Sequence, residues 1–252
     1  MSDLDTNITQ SDDKAYDSAE FAKDARQVSV EIKNRVDIEG YIDSDVVLDH
    51  VSHNEGIYAF TLKVPRLRKD VYDYIQVGLP EKLLEGNEYV KGDKVSIVGQ
   101  FRSYNVKSED NPNHMRLILY IFVEDICKIE KVEKVNVIRL HGHLCKNPNY
   151  RKTSTGREIC DMLLAVNRNY SRCDYIPCIT WGRDAKYSSK FVIGSNIYIT
   201  GRVQSRKYKK YNDDGTFREN EVYEVSVSDV QELDEEAKVV MQIDMSNISN
   251  NV

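Results

Sequence analysis

Several features that would assign this chain to a particular class of protein are absent. No apolar run approaches the roughly 18 residues of a membrane-spanning helix, which argues against an integral membrane protein. The first twenty residues are acidic and polar, so we expect neither a signal peptide nor a transit peptide, and a cytoplasmic location. The 5 cysteines include no CxxC pair, and their odd number favours free thiols over a disulfide framework.

Metal-binding and catalytic patterns are also scarce. His141, His143 and Cys145 would share one face of a strand, which fits either a zinc site or an ordinary polar face. Closed zinc sites usually have a fourth ligand and closer Cys spacing, so we predict no metal and no cofactor. Carboxylates are scattered over turns and tails, and no Ser or Cys lies in a nucleophile motif. We therefore predict that the chain is not an enzyme.

Positive charge is concentrated in one part of this acidic chain. The formal net charge is −6, yet residues 134–231 hold 17 basic and 10 acidic residues. Residues 34–133 hold 13 basic and 18 acidic residues, and both ends of the chain are also net acidic. Electrostatic attraction depends on the local patch, so residues 134–231 are the part expected to meet a negatively charged partner.

An internal repeat divides the chain. NRVDIEG (34–40) aligns with NVIRLHG (136–142), and GDKVSIVG (92–99) aligns with GSNIYITG (194–201), both at an offset of 102. LKVPR and DYIQV of the first copy align with LAVNR and DYIPC of the second in the same order. Such order at nearly constant spacing predicts two tandem copies of one domain. The predicted segments are 1–33 (acidic and disordered), 34–133 (first domain), 134–231 (second domain) and 232–252 (tail).

Each copy is predicted to be all-β. The second copy shows five strand-like segments, a hairpin turn at NDDG (212–215), and one short helix within 183–192, between the third and fourth strands. Five strands with a helix in that place is the order of an OB-fold, a small closed Greek-key barrel. We predict two tandem OB-fold five-stranded barrels, each with a short helix between strands 3 and 4.

Strand alternation gathers aromatic and basic residues on one surface of the second copy. Single-stranded nucleic acid needs such a surface, because bases stack on aromatic rings and phosphates pair with cations. The alternative is a solvated charged face covered by tyrosines. The aromatic candidates are Tyr170, Tyr175, Trp181 and Tyr208; the basic candidates are Arg151, Lys152, Arg157, Arg168, Arg172, Arg202, Arg206, Lys209 and Lys210.

Residues 136–225 resemble the bacterial single-stranded DNA-binding proteins. The likeness is carried by NVIRLHGHLCKNPNYRKTSTGREICDMLLAVNRNY, DYIPCITWGRDAK and GSNIYITGRVQSRKYKKYNDDGTFRENEVYEV. It implies that Tyr170, Tyr175, Trp181 and Tyr208 are the base-stacking residues, the same four that alternation selects.

The first copy departs from the family pattern. Tyr74 takes the place of Tyr175, but Leu79 stands for Trp181 and Val106 for Tyr208. The first copy keeps a secondary set of candidates, namely Tyr74, Arg66, Arg68 and Arg102. We expect a weaker DNA site there, or a purely architectural domain.

The resemblance implies a nucleoid-associated protein that coats single-stranded DNA without sequence specificity in replication, recombination and repair. It also implies a homodimer with four OB domains and possible replication or repair proteins as partners. The tail lacks the acidic tip with a terminal aromatic residue that recruits such partners in the family. The alternative is a primosomal-type OB-fold adaptor that mainly binds another replication protein.

Overall fold

The computed structural model describes residues 33–107, 115–168, 172–211 and 216–233, with the side chains of 208–211 and 218–220 left out of that description. Twelve strands account for most of these residues, which confirms the all-β prediction. None of the helices in these ranges is long and apolar enough to cross a membrane. The predictions for residues 1–32, the NDDG turn, and the tail from residue 234 onward lie outside the described residues.

The first half of the structure contains six strands. β1 and β3 pair with each other, so the order β2-β3-β4-β6-β5-β1 closes on itself. A three-residue 3-10 helix, Glu81–Leu83, lies between β4 and β5. The strands are β1 Asn34–Ile42, β2 Val47–Ser52, β3 Glu55–Pro65, β4 Tyr72–Pro80, β5 Lys94–Lys107 and β6 Met115–Lys128.

The second half repeats this arrangement. The order is β7-β11-β12-β10-β9-β8, and pairing between β7 and β9 closes it. The helix α1, Gly182–Ser188, lies between β10 and β11 and begins one residue before the predicted segment 183–192. The strands are β7 Asn136–Leu144, β8 Asn149–Lys152, β9 Glu158–Arg168, β10 Arg172–Trp181, β11 Asn196–Tyr211 and β12 Phe217–Glu232.

Each half has one strand more than the five predicted. In the second half the additional strand is β8, which folds back on the start of β9. In the first half β2 forms the corresponding hairpin with β3, through a turn in which His53 and Asn54 both have positive φ. Asn is among the residues that enter this left-handed region most readily. Short hairpins of this kind carry no periodic pattern of apolar residues, so the sequence did not predict the extra strands.

The cores follow the period of two that strands impose. Cys160, Met162, Leu164 and Val166 of β9 are all buried, and Leu119, Ile121 and Val123 of β6 are buried in the same alternating way. Each buried aliphatic side chain contributes about 1.5–3 kcal/mol relative to an exposed one. The opposite faces of these strands are therefore free to carry polar and aromatic side chains.

The two halves are joined through their first strands. β1 and β7 pair in antiparallel fashion, with Val36 opposite Ile138, so that all twelve strands belong to one sheet. This pairing satisfies backbone N–H and C=O groups at the edges of β1 and β7, which would otherwise be unpaired. The domain boundaries drawn from the repeat stay a prediction.

Candidate nucleic-acid interface

The outer side of the sheet in the second half presents two exposed aromatic rings. Tyr175 and Trp181 of β10 are 41% and 38% exposed, and they alternate with the buried Asp174, Ile176 and Cys178. The indole Nε1 of Trp181 donates a hydrogen bond of 3.3 Å to the Ser226 hydroxyl on β12. The neighbouring strand therefore fixes the indole position while leaving part of the ring open to solvent.

Three arginines lie on the same side of the sheet. Arg202 is opposite Ser226 across β11 and β12, and Arg206 follows it by four residues on β11. Arg151 of β8 is opposite Ile159, which is in turn opposite Trp181. Residues directly opposite each other in a sheet share a face. We call this surface the outer face of the second half: Arg151, Tyr175, Trp181, Arg202 and Arg206.

Carboxylates also lie on this face. The Arg151 guanidinium is 2.8 Å from the Asp161 carboxylate. Glu224 accepts a hydrogen bond of 2.7 Å from the Gln204 side-chain amide, and it lies 3.9 Å from the Arg206 guanidinium. The exposed Arg151–Asp161 pair contributes little to stability, so a phosphate can replace the carboxylate as the partner of this arginine.

Arg202 has a second partner, in the first half of the chain. Its guanidinium lies 3.4 Å from the carboxylate of Asp73, which is fully buried. The same carboxylate accepts a hydrogen bond of 2.8 Å from the Ser205 backbone N–H and pairs with Arg66. Burial lowers the pKa of Arg202. Arg202 therefore connects the outer face of the second half to the junction between the halves.

Asp174 makes contacts equivalent to those of Asp73 on the other side of the junction. Asp174 is buried and accepts a hydrogen bond of 2.7 Å from the Ser103 backbone N–H, and its carboxylate lies 3.5 Å from the Arg168 guanidinium. Burial raises the pKa of Asp174, while the hydrogen bonds from Ser103 and the charges of Arg168 and Arg102 oppose that rise. Arg168 is thus an internal partner of a buried carboxylate, and its role in binding DNA stays a prediction.

The remaining basic candidates lie elsewhere. Lys152 is close to Glu158, which also pairs with Lys186 of α1 at 3.0 Å. Arg157 is exposed at the turn between β8 and β9, and Arg172 is exposed at the start of β10, opposite Arg168. These three do not join the outer face of the second half.

Some candidates cannot be placed. Tyr170 lies outside the described residues. Tyr208, Lys209 and Lys210 belong to β11, but their side chains lie outside the description, so their roles stay predictions.

The secondary candidates of the first half have different contacts from those of the second half. The Arg66 side chain bonds to Asp73 and to the Ser205 carbonyl oxygen, and the Tyr74 backbone N–H donates to the Ser205 hydroxyl at 3.1 Å. Arg68 is exposed in the loop after β3. Arg102 lies on the outer side of β5, with its guanidinium 3.6 Å from the centre of the Phe122 ring.

The alignment of Leu79 with Trp181 is wrong. Pro80 is opposite Ile57, just as Trp181 is opposite Ile159, so Pro80 holds the position of Trp181. Leu79 is fully buried and corresponds to Thr180. The repeat offset is 101 along β4 and β10, and applying 102 there shifts every residue to the opposite face.

The residues considered for zinc have structural partners. His141 Nε2 is 2.7 Å from the Asn196 side-chain oxygen, and the Cys145 thiol donates to the Leu163 carbonyl oxygen. Among the described residues, no group of three or more His, Cys, Asp or Glu side chains could hold a metal ion.

Asp73 and Asp174 were missed by the sequence analysis. Both stand before a Tyr in the repeated DYI motif, at inward positions of a strand that is otherwise apolar on that side. A charged residue at an inward strand position needs a partner. This pattern could have identified both aspartates as buried, paired residues.

Comparison with known proteins agrees with this architecture. Residues 135–233 match the model of the single-strand binding protein family. The chain is 34% identical to single-stranded DNA-binding protein A of Bacillus subtilis over 107 residues, which cover 40% of this chain and 60% of that protein. It is 33% identical to single-stranded DNA-binding protein B of the same organism over 87 residues, which cover 32% of this chain and 75% of that protein.

A solved structure matches both halves. The wild-type single-stranded DNA binding protein from Thermus aquaticus superposes with a TM-score of 0.63 at 18% identity, covering 80% of this chain and 93% of that chain. At this identity the match shows the fold alone, but it extends over more residues than either half contains. The strand order, the sequence relatives and this shared fold lead to one conclusion: the chain belongs to the single-strand binding protein family.

Proposed function

We propose that the protein binds single-stranded DNA without sequence specificity and without catalysing a reaction. The observation that carries this proposal is the outer face of the second half, where Trp181 and Tyr175 are exposed between Arg151, Arg202 and Arg206. Aromatic rings give each base a stacking partner whatever its identity, and arginines neutralise phosphates. The names of the sequence relatives support the same ligand.

The biological setting is also a proposal. We propose that the protein coats single-stranded DNA during replication, recombination and repair, as a cytoplasmic, nucleoid-associated homodimer with four barrels. Family membership supports these roles. The chain spans 60% of the first relative's length, so partners that depend on the rest of that protein do not carry over.

Titration with oligo-dT tests the proposal directly, because Trp181 is the single tryptophan of the chain. We expect its fluorescence to be quenched as DNA is added. The logarithm of the binding constant should fall linearly with the logarithm of the salt concentration, with a slope of about −0.7 for each phosphate contacted. Equal affinity for duplex and single-stranded DNA, or an affinity that ignores salt, would refute the proposal.

A matched pair of tyrosines sharpens the test. Tyr175 on the outer face and Tyr187 on α1 are 41% and 43% exposed. Tyr175→Ala should weaken oligo-dT binding by about 5- to 100-fold, because a stacked base contributes about 1–3 kcal/mol. Tyr187→Ala should leave the affinity within about twofold of the unmodified protein, since exposure alone gives no stacking site. Equal effects of the two variants would mean that the outer face is not the site.

A further inference from the structure

The outer side of the first half carries its own aromatic cluster, at positions the sequence comparison did not select. Tyr104 of β5 is 49% exposed, and its ring meets the ring of Tyr120 on β6 edge to face, with 5.6 Å between centroids. Next to this pair, the Arg102 guanidinium stacks 3.6 Å from the centre of the Phe122 ring. Arg102 is directly opposite Tyr120, so the four side chains form one continuous surface.

This surface corresponds in space to the outer face of the second half. Gly99 is opposite Val123 where β6 bulges at Glu124, and Gly201 is opposite Val227 where β12 bulges at Ser228. Counting from these bulges, Phe122 corresponds to Ser226, and Tyr120 corresponds to Glu224. In the second half the Trp181 indole lies against Ser226 of β12. In the first half Pro80 takes the position of Trp181, and the aromatic ring is that of Phe122, which takes the position of Ser226 on β6.

We propose that Tyr104, Tyr120 and Phe122, with Arg102, form a second base-stacking surface for single-stranded nucleic acid on the first half. The proposal rests on the proposed function, because it gives the same ligand a second site. The aromatic side chains lie on the last strand, β6, instead of on β4, the counterpart of β10, while staying on the same face. The first half is then a binding element whose stacking residues lie on β5 and β6.

The charges around this surface give it a distinct signature. Glu124 bonds to the Gln100 side chain at 2.6 Å, and burial together with the charges of Asp49 and Tyr120 raises the pKa of Tyr104. Arg102 is the cation within the cluster, while Glu124, through Gln100, and Asp49, beside Tyr104, add negative charge to this surface. Binding there would depend on stacking rather than on phosphate contacts, so it should respond weakly to salt.

The experiment compares two lengths of labelled oligo-dT by fluorescence anisotropy with the full chain. An OB-fold covers about 4–16 nucleotides, so a strand of about 10 nucleotides can occupy the second half alone and a strand of about 35 can reach both. Tyr104→Leu keeps an apolar side chain against Tyr120 but removes the π-face. It should weaken binding of the long strand by about 5- to 100-fold, at low and high salt alike, and leave the short strand unchanged.

Controls separate the possible failures. Tyr104→Phe should restore the affinity for the long strand to within about twofold, and Tyr187→Ala should not alter it. Undiminished binding of the long strand by Tyr104→Leu, with Tyr175→Ala still weakening binding, would overturn this inference alone. Loss of all oligo-dT binding by the unmodified protein would instead overturn the proposed function. Phe122→Leu gives an independent readout on β6, and the same selective loss is expected.

Discussion

Two buried aspartates determine which arginines are available at the surface. Asp73 and Asp174 each accept a backbone hydrogen bond from a serine of the other half, Ser205 and Ser103 respectively. Removing a carboxylate from water is costly unless charged and hydrogen-bonded partners replace the water. Arg66 and Arg202 supply this compensation at Asp73, and Arg168 supplies it at Asp174. Arg66 and Arg168, the more buried of the three, are therefore committed to the junction between the halves.

Asp174 should make stability depend on pH. Burial raises its pKa in the folded protein. Its stabilising contribution is therefore complete below the ordinary pKa of an unfolded aspartate and is lost as the pH rises through the folded pKa. The free energy of unfolding of the unmodified protein, relative to Asp174→Asn, should fall by about 1.4 kcal/mol for each unit of pKa elevation.

Urea unfolding at a series of pH values from about 3.5 to about 7 measures this difference. Asp125→Asn, which removes an exposed carboxylate on β6, is the control for the change in net charge. A difference between the unmodified protein and Asp174→Asn that stays constant or grows with pH would contradict the prediction.

At the scale of single elements, the long strands β5 and β11 depend on one glycine each. A Cβ at Gly99 would stand 2.3 Å from the Phe122 carbonyl oxygen, and one at Gly201 would stand 2.4 Å from the Ser226 carbonyl oxygen. Both glycines lie at a bulge, where the ladder shifts by one residue. A bulge increases the local twist of a strand, which a closing sheet needs.

Gly201→Ala and Gly99→Ala should each lower the free energy of unfolding by about 1–3 kcal/mol, because the partner strand has to move to admit the methyl group. The two losses should be similar, since the close contacts are nearly the same in both halves. Ser228→Ala, an exposed change at the same bulge that removes a hydrogen bond of 3.1 Å to the Thr200 carbonyl oxygen, should cost less, about 0.5 kcal/mol. Denaturant unfolding monitored by circular dichroism gives all three values, and an unaffected Gly201→Ala would show that the backbone there adapts.

At the scale of the whole molecule, one chain contains two halves with the same strand order, each closed by pairing between its own strands. Residues 34–38 of β1 pair with residues 136–140 of β7, and the serine–aspartate contacts repeat on both sides of the junction. Because β1 and β7 are occupied by each other, a homodimer has to use another surface. The terminal strands of the sheet, β2 and β8, each retain one edge without a strand partner within the described part of the chain.

We expect light scattering to give twice the 29.1 kDa of one chain, both alone and with oligo-dT bound. Most soluble oligomers are closed symmetric assemblies, and two chains would supply the four barrels that the family resemblance implies. A mass of one chain under both conditions would contradict the homodimer without affecting the assignment of the stacking residues.

Much of the fold, and the placement of part of the candidate site, could be predicted from the sequence. Alternation correctly assigned Tyr175 and Trp181 to the outside of β10, because the direction of a strand side chain depends only on local parity. The repeat predicted a duplicated architecture, since alignment needs no contact information. The extra strands β2 and β8 and the position of Pro80 were not predicted, because short hairpins and one-residue shifts leave no periodic signal.

The tertiary structure alone decided how the charged and aromatic residues are used. Arg202 and Asp73 are 129 residues apart in the chain, so no local pattern links the arginine to its buried partner. The cluster of Tyr104, Tyr120 and Phe122 likewise depends on β5 and β6 being neighbours. The sequence determined which way each side chain points, because that is a property of one strand. The packing of distant strands determined which side chains remain open to a ligand.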